Sequence, residues 1–109
     1  MQRVILPFPK VERVPTRDEL VEKVRRLLAT NSETMRMDNP HVQERLQTRR
    51  ISMRQVLDAL ENATTFTGPK LDKYGDWRIK LIKKSAGRRV QVVVAVPLQG
   101  EYFTLVTVI

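Results

Sequence analysis

His41, Arg45 and Arg49 follow one another at i, i+4 and i+8. On a helix that spacing stacks the three side chains along one side. Asp38-Asn39-Pro40 just before them reads as a turn and a helix start, so His41, the single histidine of the chain, falls in the first helical turn. The backbone dipole there disfavours an imidazolium. Two arginines below it can grip a phosphate bidentately. An imidazole beside a phosphate clamp suits RNA cleavage without a metal: a base takes the 2′-hydroxyl proton, cations stabilise the phosphorane, and an acid protonates the leaving 5′-oxygen. The same row equally suits a structural role. It can be a solvated face, pair with Glu44 or Asp58, or tie its helix to a loop through Asp72 or Asp76.

A second basic group, Arg78, Lys80, Lys83, Lys84, Arg88 and Arg89, lies further along the chain. Arg78 and Lys80 alternate with Trp77 and Ile79. If helices pack on the tryptophan side, these cations point from the open face of a sheet. We expect Arg78, Lys80 and Arg89 to guide RNA there, with Tyr74 or Tyr102 stacking a base or donating a proton. Twenty Lys and Arg against 12 acids give a net charge of +8, which favours polyanions. RNA, a ribosome or an acidic protein all meet that description, and a merely soluble basic surface does too.

Other chemistries lack their residues. With no cysteine there is no disulfide framework, thiolate metal site or cysteine nucleophile. There is no phosphate-binding glycine loop, no zinc-protease motif and no useful carboxylate pair. We expect no metal and no cofactor. The opening apolar run is short and broken by Pro7 and Pro9, and no segment approaches the roughly 20 apolar residues of a membrane span. The expected setting is soluble and cytoplasmic, away from membranes.

The elements that must position these residues follow from periodicity. Residues 1–15 read as an extended arm with a short strand at Arg3–Leu6. Thr16 and Glu19 form a capping box ahead of an amphipathic helix over 17–29, with Leu20, Val21, Val24, Leu27 and Leu28 on one face. Glu33–Met37 reads as an ambiguous short strand. Helices follow over 40–49, with Val42 and Leu46 apolar, and from Ser52 to Glu61 or Asn62, with Gln55 completing a second box. Ala63–Tyr74 reads as a loop around Gly68-Pro69. The period then changes to two: a strand at 77–82, a turn at 85–88, an apolar strand at 90–96 and a last strand at 102–109. The chain divides into an arm and extra helix, 1–32, and a helix–helix–sheet unit, 33–109. The fold class is α+β: two or three helices on one face of an antiparallel sheet of three to four strands.

The run His41, Arg45, Arg49-Arg50-Ile51-Ser52, then Val56, Leu57 and Leu60, resembles a bacterial family catalogued as domain of unknown function 4258. Gly68-Pro69, Tyr74-Gly75-Asp76-Trp77-Arg78, the valine strand 90–96 and Val106-Thr107-Val108 fit the same family, over about residues 33–109. That family in turn resembles the RelE- and BrnT-type toxins, small basic ribonucleases of toxin–antitoxin pairs. The resemblance implies two helices beside a curved sheet, cleavage of RNA, and an acidic antitoxin covering the basic face. The family's histidine and arginines map onto His41, Arg45 and Arg49, which become the candidate catalytic residues.

Overall fold

The Thr16 hydroxyl accepts a hydrogen bond from the Glu19 amide and the Glu19 carboxylate accepts one from the Thr16 amide, so the expected capping box opens α1, Arg17–Thr30. The computed structural model describes residues 14–85 and 87–109, without the side chains of Ser32 and Ser85. The strand expected at Arg3–Leu6 lies outside them. A 3-10 turn, Ser32–Thr34, leads into the short strand β1, Met35–Arg36. Helix α2 runs His41–Arg49 and α3 Met53–Asn62. Ser52 and Gln55 form the second capping box at the start of α3. Between the helices Arg50 adopts a left-handed conformation, φ 54°. Its amide closes the end of α2 on the Leu46 and Gln47 carbonyls.

Strands β2 (Thr65–Leu71), β3 (Trp77–Ser85), β4 (Arg88–Val96) and β5 (Phe103–Val108) complete one sheet in the order β1-β5-β4-β3-β2. All neighbours are antiparallel except β1, which runs parallel to β5. The structure is thus α+β as expected, with five strands instead of three to four. The added strand is β2, in the stretch expected to be a loop. It is an edge strand whose register shifts between Thr67 and Lys70, around Gly68-Pro69. Proline is tolerated on an edge because no neighbour needs its missing amide. A β-carbon at Gly68 would come 2.8 Å from the Arg78 carbonyl, and its φ is +106°. That strand therefore crosses β3 only with glycine there.

Alternation assigns each strand residue to a face. Trp77, Ile79 and Leu81 pair with Val96, Val94 and Val92, and all are buried. Across the next pairing Val94 meets Leu105 and Val92 meets Val108, with an extra residue accommodated between them. The helices cover this face: α2 over β5, α3 over β3 and β4, and α1 against α3 and β2. Leu20, Val21, Val24 and Leu27 of α1 join the same core as Val42, Val56 and Leu60. Each such side chain contributes on the order of 1.5–3 kcal/mol by leaving water. Arg25 of α1 donates to the Leu60 and Ala63 carbonyls, fixing the helix against the end of α3. So α1 packs into the core and leaves the opposite face alone. No described element lies over that opposite face.

Candidate functional site

The face without helices gathers cations from four of the five strands, β1, β2, β3 and β4. Register places Lys70, Arg78, Ala95, Thr104 and Arg36 in one row across the sheet. At about 4.8 Å per strand the row spans about 19 Å. Lys80 sits in the next row, between Thr67 and Val93. Lys84 and Arg89 pair directly at the hairpin end. No strand position on this face is an acid. Among the described residues Lys70, Lys80, Lys84 and Arg89 make no ion pair.

Parity divides the second basic group. Lys83 points to the helical side, 2.9 Å from the Asp58 carboxylate on α3. Hydrogen bonds from Lys83 and then Asn62 hold the Asp58 carboxyl below its usual range. Arg88, also on that side, donates to the carbonyls of Arg49 and Arg50 at the end of α2. Both are structural links. Arg78, Lys80 and Arg89 stand on the face without helices. Arg36 joins them there through the parallel pairing of β1 with β5, and Lys70 through its pairing with Arg78.

At one end of the basic face a hollow of about 460 Å³ opens over the row. Arg78, Ala95 and Thr104 floor it, Asp72, Tyr74 and Asp76 form one wall, and Asp38 and Asn39 the other. Asp72 is the hub of the β2–β3 loop. It accepts from the Tyr74 and Asp76 amides, and from Arg78 Nε at 3.1 Å. Burial pushes its carboxyl up, but these donors outweigh it and hold it below the ordinary value. Asp76 is displaced the other way, raised by burial and then by the charge of Asp72. The Asp76 carboxyl accepts no hydrogen bond among the described residues. Tyr74 is exposed at the rim, 72% accessible.

The His41–Arg45–Arg49 row forms on α2 as its spacing requires, with Val42 and Leu46 turned into the core. All three side chains are exposed. His41 Nδ1 lies 3.4 Å from Glu44 Oε1, with its side chain 77% exposed. The row does not reach Asp72, whose charged partner is Arg78, or Asp58, whose partner is Lys83. Nor does it line the hollow, although Asp38 and Asn39 just before it do. The structure therefore keeps the row on the helical layer, apart from Arg78, Lys80 and Arg89. Among the described residues no group of three or more histidines or acids is arranged to hold a metal ion. No helix among them is long and apolar enough to cross a membrane.

Fold and site together define a small α+β protein whose helices cover one face of a sheet and whose other face is basic. The sequence profile described as Domain of unknown function (DUF4258) matches residues 39–109, and the chain belongs to that family. The match begins just before α2, so α1 and β1 precede it. No curated protein and no solved structure matches the chain.

Proposed function

We propose that this protein binds RNA along the face of the sheet that the helices leave free. The observation that carries the reading is the cross-strand pairing of two like charges, Lys84 with Arg89, neither ion-paired among the described residues, on a face whose strands hold no acid. Like charges directly opposite each other destabilise a sheet. A bound polyanion turns that cost into attraction, and a row of phosphates supplies the charge at regular intervals. Titration of single-stranded RNA against the protein at several salt concentrations tests the reading. Affinity falls steeply with salt if phosphates are the ligand. Salt-independent binding, or tighter binding of polyglutamate than of RNA at equal charge, defeats it and favours an acidic protein partner.

Cleavage of the bound RNA is a second reading, in line with the resemblance to RelE- and BrnT-type toxins. It is supported by the hollow that places Tyr74, Asp76 and Arg78 together at the end of the same face. A carboxylate, a guanidinium and a phenol are the groups that proton transfer and phosphorane stabilisation require. The assay is RNA incubated with the protein and a chelator, with and without ribosomes. Asp76→Asn and His41→Ala locate the chemistry: loss in the first places it in the hollow, loss in the second on α2. RNA left intact by the wild type ends the catalytic reading and leaves the binding reading standing.

A further inference from the structure

Arg36 lies flat against an aromatic ring. Its guanidinium carbon stands 3.8 Å from the centroid of the Tyr102 ring. That is the contact distance of two stacked carbon planes, so the guanidinium lies along the ring and not edge-on to it. The arrangement is built by the sheet. Met35 is in register with buried Phe103, which turns Arg36, beside Thr104, to the face without helices. Tyr102, next to Phe103, emerges on that same side. Gly100 stands close to the ring: a β-carbon there would approach Tyr102 Cε1 to 2.9 Å, so a larger residue would displace it. Arg36 is exposed and makes no ion pair among the described residues. Its planar surface away from the ring is therefore open, at one end of the row that runs through Arg78 to Lys70.

Resting on the RNA-binding reading above, we infer that the Arg36–Tyr102 stack is a platform for one unpaired nucleobase, so the face takes single-stranded RNA in preference to duplex. Phosphates alone would need only charge. Lysine would serve, and no ring would be needed beneath it. An arginine already held flat by a ring offers a second stacking surface that a splayed base can cover. A duplex hides its base faces within its own stack and cannot use the platform. It would meet this face through its backbone only.

Arg36→Lys separates the two contributions, because it keeps the charge and removes the planar surface. The experiment titrates a single-stranded RNA carrying a fluorescent purine analogue, and a duplex of equal phosphate number, against wild type and Arg36→Lys. Melting curves confirm that both proteins are folded. Wild type quenches the analogue and prefers the single strand. Arg36→Lys loses about tenfold in single-strand affinity, loses the quenching, and keeps the salt dependence and the duplex affinity. If Arg36→Lys binds and quenches as wild type does, or if wild type prefers the duplex, the platform is overturned while salt-dependent RNA binding stands. Absence of any RNA binding overturns the broader reading instead.

Discussion

Lys84 and Arg89 stand directly opposite each other on β3 and β4, both turned to the face without helices, and neither is ion-paired among the described residues. A sheet selected only for stability would place an acid at one of these positions. Lys84→Glu should therefore stabilise the protein, by about 0.2–1 kcal/mol, while weakening RNA binding. Thermal melting reads the first effect and RNA titration the second. A variant that loses both stability and affinity would point to a packing role for Lys84.

The exposed row on α2 yields the opposite expectation. His41→Ala and Arg45→Ala remove exposed side chains, and His41 approaches only Glu44, at 3.4 Å, among the described residues. An exposed pair of that kind contributes little. Each variant should stay within about 0.5 kcal/mol of wild type, a melting shift under about 3 °C. A drop of 5 °C or more, on the order of 1 kcal/mol, would instead reveal the row as a clamp.

Arg88 has the structural role that the α2 row lacks. It reaches from β4 to the carbonyls of Arg49 and Arg50, where the helix ends and has no amides left to offer. Arg88→Ala should cost about 1–2 kcal/mol and lower the melting temperature by roughly 5–10 °C, with RNA affinity little changed. Near-wild-type melting would mean that water satisfies these carbonyls equally well.

Much of this architecture was legible because its signals are local. The boxes at Thr16–Glu19 and Ser52–Gln55 each need only four consecutive residues, and both form as written. Trp77, Ile79 and Leu81 announce a half-buried strand and, by alternation, put Arg78 and Lys80 on its other face. β2 was hidden because Gly68-Pro69 has the chemistry of a turn, and only the edge position lets it lie within a strand. Strand β1 is two residues long and owes its existence to a parallel pairing with β5, nearly 70 residues on. Arg36 reaches the basic row through that long-range pairing, and Lys70 through the pairing of β2 with β3, which the turn-like Gly68-Pro69 conceals. The group from Arg78 to Arg89 looked like one patch. The two-residue repeat, applied to Lys83 and Arg88, sends both to the helical side.

Acid should reveal the two aspartates of the hollow with opposite signs. Asp72 is held below its unfolded value, so its contribution is present above about pH 4 and lost as pH falls through its depressed folded value. Asp76 is held above its unfolded value, so ionised Asp76 costs stability at neutral pH and protonation relieves that cost. Asp76→Asn should raise the melting temperature at pH 7 by about 1–2 °C, since solvent screens a partly exposed group. The gain should fade as pH drops through the Asp76 titration. A lower melting temperature at pH 7 would mean that Asp76 serves the loop as an acceptor.

The central claim is that the face opposite the helices binds phosphates, and the salt dependence of RNA affinity tests it most directly. With four or five phosphate contacts, log K against log salt for a single strand should fall with a slope of about −3. Lys84→Ala combined with Arg89→Ala should reduce the slope by about 1.4, the loss of two contacts, and weaken binding at every salt concentration. A flat salt dependence, or a double variant indistinguishable from wild type, would contradict the account.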